Sequence, residues 1–172
     1  RPSGRLSIDP GVIVKLGGSR IETQIGTAFY AEGTKAKPIV FTSILDDRFG
    51  AGGVFDTTND FANTVADEGD WGGLFFGPIS LGSVDHALIT FGGGSTTIEG
   101  AAADFNAIEI HQAKVRIANS TLERNAAAGS TSDRAGRSST TPAIIFVRGA
   151  QPVLLNNILQ NNDTDPTPLN VP

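Results

Sequence analysis

Short stretches in which apolar and polar residues alternate recur along the chain, and residues 107–125 align without a gap with residues 144–162. Alternation with a period of two is typical of half-buried β-strands. The alignment pairs apolar with apolar residues and asparagine with asparagine: Ile108 with Ile145, Ile110 with Val147, Ile117 with Leu154, Asn119 with Asn156, Leu122 with Leu159, and Asn125 with Asn162. A looser copy over 73–91 places His86 opposite Asn119. The pattern predicts short β-strands in an internal repeat.

The spacing of the repeat indicates what kind of repeat it is. Phe41, Ile89, Leu122 and Leu159 are separated by 48, 33 and 37 positions. Each interval contains one polar, glycine- or alanine-rich stretch, over 44–70, 92–104 and 126–141 respectively. Without those stretches each interval is about 20 residues, a length typical of one turn of a solenoid. The spacing therefore predicts a β-solenoid with long loop insertions.

Several segments resemble secreted bacterial proteins of the right-handed parallel β-helix family, which includes pectate-lyase-like enzymes and large surface exoproteins. The segments are 6–16, 31–34, 37–43, 69–74, 117–122 and 154–159. The resemblance implies an all-β, right-handed parallel β-helix with a stacked asparagine ladder that includes Asn119 and Asn156. It implies no particular activity, because this repeat occurs in pectin-degrading enzymes, adhesins and very large surface proteins alike.

Length and composition narrow the class of protein. The 172 residues suffice for one sizeable core, so we expect a single domain over 1–172. The absence of cysteine excludes disulfides and thiolate metal sites. The lack of both cysteine and methionine suits an extracellular or cell-surface location. The net charge of −5 argues against a nucleic-acid partner. The sequence has no run of about 18 apolar residues, so we expect no membrane span.

The two ends of the chain suggest a partner. The sequence starts at Arg1 without a signal-peptide pattern, and 163–172 breaks off where another turn of a solenoid could begin. We therefore expect a processed product or a piece of a larger β-helix. Its open ends would be continued by the remainder of that protein or by an associated chain.

The stretch 44–70 holds most of the acidity of the chain. It contains seven carboxylates and one arginine, a local balance of −6. Clustered oxygen ligands suit calcium, which takes six to eight of them in flexible geometry. We predict calcium ligands at Asp46, Asp47, Asp56 and Asp60. The alternative is a solvated acidic loop that keeps the protein soluble.

A second candidate site lies on the outward face of the repeated strand. If Ile108 and Ile110 point inward, Glu109 and His111 point outward. The same reasoning predicts an outward strip for binding a glycan, made of Tyr30, Phe75, Glu109, His111, Phe146 and Arg148. The alternative is an outer surface that the long insertions cover.

Catalytic patterns are sparse. Glycoside hydrolysis needs two carboxylates across the scissile bond, but Asp46 and Asp47 would point to opposite faces of a strand. His86 and His111 are too few for a zinc site. The sequence favours a non-enzymatic, calcium-stabilised module that acts as scaffold or spacer in a larger surface protein. The alternatives are a fragment of a polysaccharide lyase or glycoside hydrolase and a non-catalytic glycan-binding module.

Overall fold

A computed structural model describes residues 3–50, 58, 64–98, 101–129 and 140–164, and those residues contain β-strands but no helix. None of them forms a helix that is long and apolar enough to cross a membrane. The strands are β1 (Arg5–Ile8), β2 (Ile13–Leu16), β3 (Ile21–Thr23), β4 (Ala28–Glu32), β5 (Ile39–Ser43), β6 (Leu74–Phe76), β7 (Leu81–Asp85), β8 (Ala87–Thr90), β9 (Gly94–Ile98), β10 (Ala101–Phe105), β11 (Ile108–His111), β12 (Lys114–Ala118), β13 (Thr121–Glu123), β14 (Ile145–Arg148), β15 (Val153–Leu155) and β16 (Ile158–Gln160).

The strands form three parallel sheets that the chain visits in rotation. Sheet A has the order β1-β4-β7-β12-β15, sheet B β2-β5-β8-β13-β16, and sheet C β3-β6-β11-β14. One pass through the three sheets is called a rung here. Rung 1 consists of β1, β2 and β3; rung 2 of β4, β5 and β6; and rung 3 of β7, β8 and β11. Rung 4 consists of β12, β13 and β14, and rung 5 of β15 and β16. Only β9 and β10 pair antiparallel among the described strands. The all-β prediction is confirmed, and the stacked parallel sheets are compatible with a parallel β-helix.

The strand register confirms the internal repeat. Ile108 pairs with Ile145 and Ile110 with Val147 between β11 and β14. The same holds for the other predicted apolar columns, which join Ile117 to Leu154, Leu122 to Leu159, Ile89 to Leu122 and Phe41 to Ile89. Like residues stack because each rung places the same position over the core.

The rungs differ in length mainly through insertions at one corner. In rung 1 the chain returns quickly, so that Arg5 pairs with Ala28, 23 positions later. Rungs 2, 3 and 4 are longer, and each extra stretch lies between its strand in sheet B and its strand in sheet C, over 44–73, 91–107 and 124–144. These are called the first, second and third insertions. Trp71, near the end of the first insertion, is wholly buried, and its indole N–H donates to the Thr90 carbonyl at 2.9 Å.

Aromatic rings fill the core between the three sheets. Phe29 from sheet A lies between Phe41 from sheet B and Phe76 from sheet C, with centroid distances of 6.1 Å to each. All three rings are buried. Gly82 makes room for this packing, because a Cβ there would lie 2.4 Å from the Phe76 ring. The apolar positions of all three sheets thus meet in one core.

The corner between sheets A and B confirms the predicted asparagine ladder. Asn156 Nδ2 donates to Asn119 Oδ1 at 3.3 Å, and Asn119 Nδ2 donates to Asp85 Oδ1 at 3.0 Å. His86, Asn119 and Asn156 all have positive φ, of 45°, 50° and 52°, a conformation that asparagine tolerates well. The Asn119 and Asn156 side chains are exposed, so this ladder fixes a surface turn.

A buried polar ladder lies at the corner between sheets B and C. The wholly buried Asn125 accepts from the Gly92 backbone N–H at 2.9 Å and donates to the Ile89 carbonyl at 2.9 Å. Asn162 accepts from the Asn125 backbone N–H at 3.0 Å and donates to the Leu122 carbonyl at 2.9 Å. Buried backbone groups need such partners, since a side-chain amide replaces the water that cannot reach them.

The first prediction concerns the column that contains Ile110 and Val147. Ile110 is wholly buried, so Ile110→Ala is expected to lower the free energy of unfolding by about 2–5 kcal/mol. Val147 occupies the same column in the next rung but is 38% exposed. Val147→Ala is the matched control and is expected to cost about 1 kcal/mol or less. Denaturant melts measure both values, and equal losses would contradict the register.

Candidate functional site

The outer face of sheet C brings together five of the six residues of the predicted glycan strip. Glu109 on β11 pairs with Phe75 on β6 and with Phe146 on β14. His111, two positions further along β11, pairs with Arg148. Ile108 and Ile110 belong to the core, as predicted, and the five strip residues do not.

His111 lies between two phenylalanine rings on this face. Its ring centroid is 5.0 Å from that of Phe75 and 5.4 Å from that of Phe146. His111 Nε2 lies 2.9 Å from Glu109 Oε2, and both side chains are almost wholly buried. A carboxylate accepts, so Nε2 carries the proton in this pair. His111 Nδ1 is buried without a hydrogen-bond partner in the described part of the chain.

The chain around the corner between sheets B and C covers this histidine and its carboxylate. The Arg20 guanidinium lies 4.6 Å from the Phe75 ring centroid and 3.8 Å from that of Phe105, which is wholly buried. The Asn106 backbone N–H donates to Glu109 Oε1 at 3.0 Å. The expectation that Glu109 and His111 face outward is met, but neither is open to solvent. The pair cannot reach a polymer from this position.

Asn106 ties the second insertion to the third. Its side-chain Nδ2 donates to Thr140 Oγ1 at 2.7 Å and to the Thr141 carbonyl at 3.0 Å. Its Oδ1 accepts from the backbone N–H groups of Ala128 at 2.7 Å and Ala143 at 2.9 Å. The sequence pattern gave no sign of this residue, because Asn106 precedes the strand and belongs to no repeat column. A wholly buried amide with all four bonds made fixes both insertions where they leave the sheets.

Tyr30 lies on a different sheet from the rest of the predicted strip, so its predicted position is wrong. It belongs to β4 of sheet A and pairs with Ser7 and Ser83. The place opposite Phe75 in rung 1 is taken by Glu22 on β3. The error arose because Tyr30 opens rung 2, whereas the sheet C strand of rung 1 comes earlier in the chain. Ligand binding by the six strip residues stays a prediction.

The outer face of sheet A carries an open groove beside Tyr30. The groove has a volume of about 410 Å³ and is lined by Tyr30, Leu81, Lys114, Arg116, Gln151 and Val153. The Arg5 guanidinium lies 4.4 Å from the Tyr30 ring centroid. The alternation of Lys114, Val115 and Arg116 could have revealed the two cations, since residues two apart on a strand share a face.

A polar cluster adjoins the groove at the end of β7. Arg116 Nη1 lies 2.6 Å from Asp85 Oδ2, and the His86 ring also contacts the Asp85 carboxylate. Burial raises the pKa of Asp85, but hydrogen bonds from Asn119 and Arg116 outweigh that effect and hold it below its usual value. Asp85 is thus a structural anion that holds Arg116 at the rim of the groove.

The described part of the acidic stretch forms an ion pair and no metal centre. Asp46 is buried and accepts from Arg48 Nε at 2.9 Å, from Arg48 Nη2 at 3.0 Å, and from Thr42 Oγ1. Asp47 Oδ1 is buried without a hydrogen-bond partner in the described ranges. Asp56 and Asp60 lie outside the described residues. No group of three or more possible metal ligands occurs within the described ranges. One unpartnered carboxylate oxygen does not make a calcium site, so calcium binding stays a prediction.

Comparison of the chain with protein-family models, curated proteins and solved structures found no significant match. The function therefore has to be inferred from the geometry of the chain itself.

The second prediction concerns the pH dependence of stability through Asp46. Burial raises the pKa of Asp46, but hydrogen bonds from Arg48 and Thr42 lower it below its usual value. A carboxyl with a lowered pKa in the folded state stabilises that state above its unfolded pKa of about 3.9, and the effect is lost as the pH falls further. Asp46→Asn should therefore cost about 1–3 kcal/mol at pH 7 and progressively less below pH of about 4.

Thermal melts of both proteins between pH 7 and pH 3 measure this difference. Asp9→Asn is the matched control, because Asp9 is an exposed carboxylate at a turn between β1 and β2. A difference between wild type and Asp46→Asn that does not shrink on acidification would argue against the ion pair.

Proposed function

We propose that this chain is an extracellular structural or interaction module, folded as a right-handed parallel β-helix and acting as a scaffold or spacer in a larger surface protein. The observation that carries the proposal is that side chains as well as strands bond rungs 3, 4 and 5 to one another. Asn125, Asn157 and Asn162 each bridge to the preceding rung. Such a stack resists bending and holds its insertions in fixed positions.

The state of the carboxylates also supports a non-enzymatic role. Asp46 is paired with Arg48, Asp85 with Arg116, and Glu109 is sealed against His111. Hydrolysis or elimination on a polysaccharide needs carboxylates or bases that reach the substrate. These three serve the fold instead, which favours display over turnover.

The groove on sheet A favours a second candidate function, that of a non-catalytic glycan-binding module. Tyr30 offers a half-buried aromatic ring, with the cations of Lys114 and Arg116 along the same groove. An aromatic ring beside cations suits an acidic sugar, whose ring stacks while its carboxylate pairs with the cations. The groove is a candidate glycan site in addition to the predicted strip on sheet C.

The third prediction tests the module against the enzyme alternative. The protein is incubated with acidic polysaccharides, with and without millimolar calcium, and new reducing ends and unsaturated products are measured. The scaffold proposal expects no turnover under either condition, because Asp46, Asp85 and Glu109 are paired within the fold. Turnover would overturn it in favour of a polysaccharide lyase or glycoside hydrolase.

Electrophoresis in native gels that contain the same polysaccharides distinguishes a scaffold from a glycan-binding module, because a protein that binds the polysaccharide migrates more slowly. Retardation that is lost in Tyr30→Ala but kept in Glu22→Ala would establish the groove on sheet A as a glycan site. Glu22 is the matched control because it lies on the outer face of sheet C. Equal mobility with and without polysaccharide would remove the second candidate.

The fourth prediction concerns calcium. If Asp46, Asp47, Asp56 and Asp60 bind calcium, the ion stabilises the folded state by RT ln(1 + c/Kd), where c is the concentration of free calcium. The melting temperature in millimolar calcium should then exceed that in a chelator, and Asp47→Asn should reduce the difference. Magnesium at the same concentration controls for ionic strength. Identical melting temperatures with calcium and with chelator would dismiss the metal.

A further inference from the structure

The polar ladders of this protein run in one direction. The Ala87 backbone N–H in rung 3 donates to Ser120 Oγ of rung 4 at 3.1 Å. The Ser120 backbone N–H then donates to Asn157 Oδ1 of rung 5 at 3.1 Å. Asn157 Nδ2 returns a bond to the Ile117 carbonyl at 2.9 Å. Rungs 3 and 4 therefore each receive a side-chain partner at this position from the rung that follows.

The column five residues further along the chain, which contains Gly92, Asn125 and Asn162, has side-chain bonds in the same direction. The N–H groups of Gly92 and Asn125 donate to Asn125 Oδ1 and Asn162 Oδ1, and each amide donates back to a carbonyl of the preceding rung. In the last two rungs one asparagine amide thus satisfies one backbone donor and one backbone acceptor of the rung before it. The same two columns are five residues apart in rungs 3, 4 and 5.

Rung 5 presents the same groups with no rung beyond it in the described ranges. The backbone N–H groups of Asn157 and Asn162 donate to no side chain there, although those of their counterparts Ser120 and Asn125 donate to asparagine side chains. The apolar side chains of rung 5 are likewise more exposed than their counterparts in rung 4. Leu154 is 46% and Leu159 51% exposed, whereas the residues that pair with them in rung 4 are wholly buried.

The face formed by Leu154, Asn157, Leu159 and Asn162 is called the terminal face. A cavity of about 600 Å³ lies against it and is lined by Ile144, Ile145, Leu154 and Leu159 among others. The rung-to-rung contact that fills this space elsewhere in the protein is the contact that the face lacks. A polypeptide rung would extend both the apolar columns and the polar ladders.

We propose that the terminal face binds a polypeptide rung with the pattern Asn-x-Leu-x-x-Asn, whose strands lie parallel to β15 and β16. The two asparagines would accept from the N–H groups of Asn157 and Asn162 and donate to the carbonyls of Leu154 and Leu159. The leucine would cover Leu159. The inference rests on the proposed role as an interaction module and names the chemistry of its partner.

A second copy of this chain, stacked head to tail, does not meet that requirement. Strand register places Val12 and Gly17 of rung 1 in the columns of Asn157 and Asn162. Neither side chain can accept or donate a hydrogen bond. A head-to-tail contact would therefore lack the side-chain bonds that the equivalent N–H groups of rungs 3 and 4 make.

The fifth prediction tests the terminal face with a labelled peptide. The probe has the sequence of residues 150–164, which contains the pattern, and the control peptide carries Asn157→Ala and Asn162→Ala. Fluorescence anisotropy with the full chain should show saturable binding of the probe and a Kd at least about tenfold larger for the control, because four hydrogen bonds are lost.

Variants of the chain show where the probe peptide binds. Leu159→Asp and, independently, Leu154→Asp should abolish binding of the probe. Leu6→Asp should not, because Leu6 is equally exposed but lies at the opposite end, on β1. Circular dichroism confirms that each variant is folded.

Three results would overturn the proposal: no binding of the probe, equal binding of both peptides, or binding that Leu6→Asp rather than Leu159→Asp removes. Self-association of the chain that Leu6→Asp disrupts would identify a second copy as the occupant and would also overturn it. The outcome is separable from the proposed function, which fails on polysaccharide turnover whether or not the peptide binds.

Discussion

The completion of each rung's hydrogen bonds by the next rung is the interaction on which the rest of the structure depends. Where the chain turns between two parallel strands inside the stack, backbone groups lie beyond the reach of water, and an unpaired one costs about 1–3 kcal/mol. Asn125 removes two such penalties with one amide, and Asn162 repeats the arrangement one rung later. The corners therefore restrict the sequence as strongly as the apolar columns restrict the strands.

That constraint also explains why the insertions share a corner. A rung closes only if its strands keep their register, so extra residues must leave and return at one place without disturbing the columns. All three insertions lie between sheets B and C, where Asn106 binds the second to the third and Trp71 anchors the end of the first. Phe75, Glu109 and His111 on the neighbouring outer face of sheet C are buried, whereas sheet A keeps an open groove beside Tyr30.

The sequence predicts what the repeat itself encodes. The pairs Ile108 with Ile145 and Leu122 with Leu159 follow from alignment, because stacking places chemically similar residues over one another. The burial of Glu109 and His111 could not be predicted in this way, since it depends on Asn106 and on the Arg20 side chain from rung 1. These contacts join residues outside the repeat columns, and no periodicity marks them.

The direction of the ladders makes the two ends of the stack chemically different. At the terminal face, the N–H groups of Asn157 and Asn162 and the carbonyls of Leu154 and Leu159 fit amide side chains, and the half-exposed leucine side chains fit apolar ones. At rung 1 the exposed apolar residues are Leu6, Val12 and Ile13, and the ladder positions hold Val12 and Gly17. Rung 1 therefore lacks the side chains that complete the equivalent groups of rungs 3 and 4. Stacked identical copies would form fewer side-chain hydrogen bonds with one another than rungs 3, 4 and 5 form, and the proposed specificity for an amide-bearing rung follows from that difference.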